Sequence, residues 1–389
     1  PSGDLIATTS NDRTCIIWNP HTGNSIKTLT GHTGWVTGVA WHPSGDLIAT
    51  TSNDRTCIIW NPHTGNSIKT LTGHTGWVTG VAWHPSGDLI ATTSNDRTCI
   101  IWHFDPLNTT QTVATLTDWV TGVAWQPSGD LIATPNNNYS SIGSGGTCVI
   151  WDPDAEDRIA TLSSHTREVT GAAWHPSGNR IATTSRDCTC AIWHLDPPNI
   201  PKRVTTLTDH ASAVTKVAWN PDGTLLATTS DDGTCIIWRP EIEEKRIHTL
   251  TGHTAAVTKM AWNPDGTLLA TTGWDGTCII WNPHTGEKIT TITGHTRAVT
   301  GVAWHPTGDL IATADASGLI RISHPDGTLE RAFISVRPRI PGVESYASWT
   351  PQGLDVLEGE AWRVLRIPEP DGGSRRLELP GLSYEPPTD

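Results

Sequence analysis

Residues 1–42 read PSGDLIATTSNDRTCIIWNPHTGNSIKTLTGHTGWVTGVAWH, and residues 43–84 repeat those letters without a change. The identity runs on, since residues 1–60 match residues 43–102, so the period here is 42 residues. A tandem repeat of this length constrains the fold more than any single motif, because each copy must bury its apolar faces against its neighbours. The anchor Pro-[Ser/Asp/Thr]-Gly recurs at Pro1, Pro43, Pro85, Pro127, Pro176, Pro221, Pro264 and Pro306, with a worn copy, Pro-Gln-Gly, at Pro351. These positions start nine units, at 1, 43, 85, 127, 176, 221, 264, 306 and 351, within one domain spanning 1–389. The closing units, 306–389, are degenerate.

Each unit contains four short runs rich in Val, Ile, Thr and Trp: WVTGVAW (35–41), DLIATTS (46–52), TCIIW (56–60) and SIKTL (67–71). Between them, HPSGD (42–46) and NPHTGN (61–66) carry the Pro and Gly that set turn dihedrals, and SNDRT (52–56) is a tight polar reversal. No stretch shows apolar residues at three-to-four spacing over the ten or so residues a helix needs. The unit therefore predicts an antiparallel four-stranded meander. One meander cannot cover both its faces, whereas sheets stacked around an axis cover each other.

The stretch GHTGWVTGVAWHPSGDLIATTSNDRTCIIW (31–60) resembles the WD-repeat (WD40) family of β-propellers, and the resemblance extends over essentially the whole chain. The Trp-Asp pair that names the family survives only at Trp151-Asp152; elsewhere the second letter is Asn, His or Arg. The resemblance is to bacterial members with near-identical, recently amplified blades. It implies a hydrogen-bonded tetrad in each regular unit: His32, Thr50, Asp54, Trp60; His74, Thr92, Asp96, Trp102; His165, Thr183, Asp187, Trp193; His210, Thr228, Asp232, Trp238; and His253, Thr271, Asp275, Trp281. In each, Asp accepts from His and Thr links His to the indole N–H. A constellation that recurs at fixed spacing in unit after unit is a structural fastener, because a catalytic site occurs once.

Nine units supply nine sets of second, third and fourth strands but only eight clear innermost strands, the last being VESYASW (343–349). At the far end GLSYEPPTD (381–389) aligns with GVAWHPSGD (38–46), so a C-terminal strand at 381–386 is expected to complete the first blade. This reading favours a single closed propeller of nine blades. An eight-bladed ring, or a seven-bladed one with surplus units, is the alternative. A closed ring predicts a monomer and surplus units predict oligomers.

The net charge of −13 disfavours nucleic acid and anionic membrane as partners, and no basic patch stands out along the chain. No apolar run approaches the roughly 20 residues that span a bilayer, and no signal peptide opens the chain. Seven of the eight cysteines (Cys15, Cys57, Cys99, Cys148, Cys190, Cys235 and Cys278) hold one register in the third strand, and only Cys188 is extra. Equivalent positions in successive blades lie too far apart for a disulfide, which predicts buried free thiols and a cytoplasmic location. Neither cofactor nor metal is expected. The start in mid-unit, without Met, is expected of a fragment or processed product whose upstream sequence lies elsewhere.

The family's docking face, built from the loops before the inner strand and the turns between the second and third strands, is where the resemblance places a partner. Trp35, Trp77 and Trp119 precede the inner-strand Val of three successive units there, and Trp274 precedes a tetrad Asp. With polar Thr33, Asn53, Thr75 and Asn95 beside them, they form the expected site for a protein or peptide partner. In the fourth unit GHTGWV shrinks to DWV (118–120), and the next turn swells to PNNNYSSIGSGGT (135–147), read as a recognition loop or as drift. The chain is read as a noncatalytic interaction platform or ligand-sensing propeller, the sensor part of a larger bacterial signalling or defence protein, an idea to which GEAWRVLRI (359–367) adds a faint likeness. The alternative is a stand-alone or engineered propeller whose main property is modular assembly. No unit carries a unique carboxylate pair, nucleophile elbow or phosphate-cradling loop, so an enzyme is not expected.

Overall fold

The second unit shows how the repeat folds in the computed structural model: Val36–Trp41, Ile48–Ser52, Thr56–Trp60 and Ser67–Thr72 pair antiparallel in chain order. The structure describes residues 2–106, 111–136, 145–196, 200–241, 246–335, 346–350, 353–358, 366–368 and 374–376. The first two strands are joined through Gly45, whose φ of 84° is the left-handed conformation that the Pro-Ser-Gly anchor needs. Every residue of Ile48–Ser52 is buried, which explains why the second strand reads as an unbroken Ile-Ala-Thr-Thr-Ser run rather than an alternating one. The two faces of each sheet meet two different neighbours.

One seam illustrates the packing. Cys57, Ile59 and Leu71 of blade two lie against Ile90, Ile100 and Trp102 of blade three. At about 1.5–3 kcal/mol for each large side chain fully buried, one such seam is a large part of the stability of both blades. Each fully paired inner strand also has a one-residue register shift, as between Val36 and Gly38. The shift frees Thr37 to reach across the seam, where its hydroxyl donates to the Val78 carbonyl at 2.5 Å.

Eight blades are present, and the expectation of nine is corrected by how the last one is used. Ile320, Ile322 and Phe333 of blade eight pack directly against Trp18, with Ile6 and Ile16, of blade one. The Trp18 and Phe333 rings lie 4.8 Å apart. This seam is built like the others: a Cβ on Gly3 would collide with His305 of blade eight, as one on Gly87 would collide with His42. With that face covered, Tyr346–Thr350, expected as the inner strand of a ninth blade, instead pairs with the outer strand Leu329–Ser335, Ala332 opposite Trp349. Together with Gly353–Glu358 it widens blade eight to a six-stranded sheet. Among the described residues the ring leaves no gap between blades eight and one for a further blade.

Blade one is three-stranded among the described residues: Ile6–Thr9, Thr14–Trp18 and Ser25–Thr30. Its first strand is only half-buried, in contrast to the fully buried Ile48–Ser52. The strand expected at 381–386 lies outside the described residues. From blade three onward, the inner-strand Trp donates its indole N–H to the Ala carbonyl of the preceding blade, as Trp83 to Ala40 at 3.2 Å and Trp304 to Ala261 at 2.9 Å. No helix among the described residues is long and apolar enough to cross a membrane.

Candidate functional site

The tetrads are built from four elements of one blade: the loop before the inner strand supplies His, the second strand Thr, the following turn Asp, and the third strand Trp. In blade two, His32 Nδ1 lies 2.8 Å from Asp54 Oδ2 and His32 Nε2 lies 2.9 Å from Thr50 Oγ1, which also accepts the Trp60 indole N–H at 2.8 Å. The carboxylate can only accept, so Nδ1 carries the proton, Nε2 accepts from the Thr hydroxyl, and the chain runs Trp to Thr to His to Asp. The same distances recur within 2.8–3.1 Å at His74, Thr92, Asp96, Trp102; His165, Thr183, Asp187, Trp193; His210, Thr228, Asp232, Trp238; and His253, Thr271, Asp275, Trp281.

Hydroxyl, imidazole and carboxylate in this order are the parts of a charge-relay nucleophile. The resemblance stops at access: Thr50 is fully buried and its oxygen already holds the Trp60 N–H, leaving no approach for a substrate. The electrostatics are those of a fastener. Burial alone would raise the Asp96 carboxyl, but the Thr98 hydroxyl, the Thr75 backbone N–H and His74 together hold it at about 2. Burial pushes His74 below the ordinary histidine value against the pull of Asp96.

The sequence reading missed one partial tetrad. In blade eight His295 lies 3.2 Å from Asp315 and 2.8 Å from Thr313, with Ser323 standing where the other blades have Trp. Among the described residues, blade four keeps the Trp151-to-Thr134 bond at 2.8 Å, and blade one the Trp18-to-Thr8 bond at 2.8 Å. Among the described residues no group of three or more His, Cys, Asp or Glu stands ready to hold a metal ion. The eight cysteines are free thiols, all buried except Cys188, and burial pushes Cys15 and Cys99 up to about 12.

The rim that carries the tetrad loops also carries the predicted tryptophans. A backbone bond ties the loop to the turn in each regular blade: Asn53 N–H to the Trp35 carbonyl at 3.0 Å, Asn95 to Trp77 at 2.9 Å and Trp274 to Ala256 at 3.0 Å. Trp35 and Trp77, on adjacent blades two and three, are each 54% exposed, and Trp274 is 69% exposed. Thr33, Thr75 and Asn95 are exposed beside them and Asn53 is half-buried. Blade seven stands across the ring from blade three, so Trp274 belongs to the same rim and not to the same cluster. Trp119 departs from the pattern: it is half-buried, with the Arg97 guanidinium 3.7 Å above its ring.

That stack exposes a group which sequence reasoning overlooked. Arg13, Arg55 and Arg97 occupy one turn position in blades one, two and three, with φ of 80°, 76° and 72°, and all three are exposed. Among the described residues neither Arg13 nor Arg55 makes an ion pair. A basic patch absent as a run along the chain is thus assembled by the ring from one residue per blade. The signal was available in the verbatim repeat of Asn-Asp-Arg-Thr. Residues 137–144, most of the swollen turn of blade four, lie outside the described residues.

Comparison with known proteins agrees with eight blades. The model of the WD40 family (WD domain, G-beta repeat) matches eight stretches, at residues 1–19, 23–61, 65–103, 110–152, 156–194, 201–239, 244–282 and 286–322. Single stretches are similar to the nuclear distribution protein PAC1-2 of Postia placenta (44% identical over 41 residues, 10% of each chain). Others are similar to the lissencephaly-1 homolog of Branchiostoma floridae (48% over 42 residues, 11% of this chain and 10% of that one). The ribosome assembly protein 4 of Chaetomium thermophilum is 50% identical over 42 residues, 11% of this chain and 8% of that one. Each match is about one repeat long and spans about a tenth of the curated relative. The eight matched stretches cover most of the sequence, and the chain belongs to the WD40 family of β-propellers.

Proposed function

We propose that this propeller is a noncatalytic platform that binds a protein partner on the rim of blades one to three, with Trp35 and Trp77 as anchors and Arg13, Arg55 and Arg97 as the charged surround. The observation that carries this reading is the pair of half-exposed indoles on adjacent blades, on a rim where Arg13 and Arg55 are also exposed. Trp and Arg dominate interaction hot spots because both offer broad flat area with few rotors to freeze. The arginines favour a partner segment carrying carboxylates, which a chain of net charge −13 would otherwise repel. Thr33, Asn53, Thr75 and Asn95 supply polar contacts at the edge. Membership of the WD40 family, with single-repeat similarity to a nuclear distribution protein and a ribosome assembly protein, supports a platform role.

Affinity capture with the wild-type chain, set beside Trp35→Ala/Trp77→Ala and Arg13→Ala/Arg55→Ala variants of unchanged melting temperature, tests the proposal. Partners held by the wild type and lost from both variants are the expected result. An identical captured set from all three proteins refutes it. Trp119→Ala serves as the control, since its ring is already covered by Arg97.

A further inference from the structure

The inner strands line the channel along the propeller axis, and their sequences are nearly uncharged. Blades two, three and eight read Val-Thr-Gly-Val-Ala-Trp and blade five reads Val-Thr-Gly-Ala-Ala-Trp. Blades six and seven break this pattern at one position: Val214–Trp219 reads VTKVAW and Val257–Trp262 reads VTKMAW. Lys216 pairs with Thr229 and Lys259 with Thr272, the register that Gly38 holds with Thr51, Gly80 with Thr93 and Gly171 with Thr184. The two lysines therefore stand at one level of the channel wall, on adjacent strands. Those strands are in direct contact, since the Thr215 hydroxyl donates to the Val257 carbonyl at 2.8 Å.

The glycines at the same level show what surrounds them. A Cβ on Gly171 would point over the seam, 4.0 Å from Val217 of the next blade, and one on Gly122 of blade four would meet nothing within 4 Å. Across the ring from the lysines, blades two and three place Gly38 and Gly80 at this level, so the facing wall carries no side chain there. No carboxylate occurs in any described inner strand, and among the described residues neither Lys216 nor Lys259 has an acidic partner. Burial, reinforced by the charge of Lys259, lowers the Lys216 ammonium below its ordinary value, so the pair lies within electrostatic reach and is not neutralised. Two unpaired cations in a confined, partly dehydrated passage attract an anion far more strongly than the same charges in bulk water.

We propose that Lys216 and Lys259 form a binding site for a phosphate-type dianion in the central channel, distinct from the tryptophan rim. A dianion matches the two charges, and a tetrahedral oxyanion offers acceptors to both ammonium groups at once.

The test is isothermal titration of the full chain with inorganic phosphate at pH 7.5, against sodium chloride at matched ionic strength. The comparison protein is Lys216→Gly/Lys259→Gly, which restores the residue that the other blades carry at this level; Lys216→Gln/Lys259→Gln is the second variant should glycine impair folding. Saturable phosphate binding by the wild type, weakened at least about tenfold in the double variant and by less in each single one, is expected. Equal affinity in wild type and variant shows an adventitious ion only and overturns the proposal, as does the absence of binding beyond the chloride control. The partner capture described above does not involve these lysines, so either proposal can fail without the other.

Discussion

The tetrad makes a quantitative prediction because the protein contains its own control. Thr50→Val removes one hydroxyl and little volume, yet it orphans two buried groups: the Trp60 indole N–H, 2.8 Å away, and His32 Nε2, 2.9 Å away. Trp60 is 2% exposed and His32 8%, so water cannot replace the lost partner. At about 1–3 kcal/mol for each buried group left unsatisfied, the substitution should cost about 3 kcal/mol. In blade four, Thr134 accepts the Trp151 N–H at 2.8 Å, and no histidine reaches it. The single Thr50 hydroxyl proton goes to His32 Nε2, whereas the Thr134 hydroxyl proton goes to the Val149 carbonyl at 3.4 Å, a bond too long to add much to the cost of its loss. Thr134→Val should therefore cost about half as much, roughly 1.5 kcal/mol. Urea denaturation followed by tryptophan fluorescence reads both, with Thr50→Ser as the variant that keeps the hydroxyl. A Thr134→Val cost equal to that of Thr50→Val, or a Thr50→Val cost below about 1 kcal/mol, refutes the hydrogen-bond relay as the origin of the stability.

Two further outcomes follow from the same geometry. Burial lowers His74 and His210 below the ordinary histidine value of about 6.5, so these rings bind a proton more readily unfolded than folded, and stability should decline as the pH drops below about 6.5. A second decline should come between about pH 4 and pH 2, as Asp96 and Asp315, held at about 2, lose charges that the fold stabilises by about 1–2 kcal/mol each; a melting temperature flat from pH 7 to pH 4 contradicts the first decline, and one flat from pH 4 to pH 2 the second. Arg55→Gly should stabilise the chain by about 0.5–1 kcal/mol, because Arg55 pays a left-handed φ of 76° where blades six, seven and eight place Gly233, Gly276 and Gly318. Thermal unfolding checks this, and a lowered melting temperature for Arg55→Gly contradicts it.

Much of this molecule was legible because it is written more than once. Strand positions, the left-handed glycine after each anchor proline and five tetrads follow from one unit, since each copy meets the same neighbours. What escaped sequence reasoning lies where a copy meets something different. Tyr346–Thr350 has the letters of an inner strand, but pairing depends on which edge is free, and the face a ninth blade would need is held by Trp18. His295 escaped because Ser323 replaces the Trp that identifies a tetrad, although the His, Thr and Asp still meet. Trp119 was read as exposed because its letters match Trp35. The shortened loop instead draws it under Arg97 of the preceding blade, a contact that no single unit contains.

Verbatim copying and ring closure place opposite demands on the chain, and blade eight shows how both are met. Copies can be added freely while each presents the same two faces: in blade one Cys15, Ile17 and Leu29 forward, and in blade two Ile48, Ile58 and Trp60 backward. The last blade must present a forward face that fits the unchanged backward face of blade one. It does so with Ile320, Ile322 and Phe333 in the places of Cys15, Ile17 and Leu29, which keeps the face apolar and enlarges it against Trp18. Its losses fall on the other side, where Arg321 and Ser323 stand in the places of Ile16 and Trp18. The drift of this blade is therefore not uniform decay: the face that closes the ring has been held apolar, and the face toward blade seven has carried the change. A copy inserted between blades two and three would leave that closing face untouched, while adding one more Trp and one more Arg to the rim.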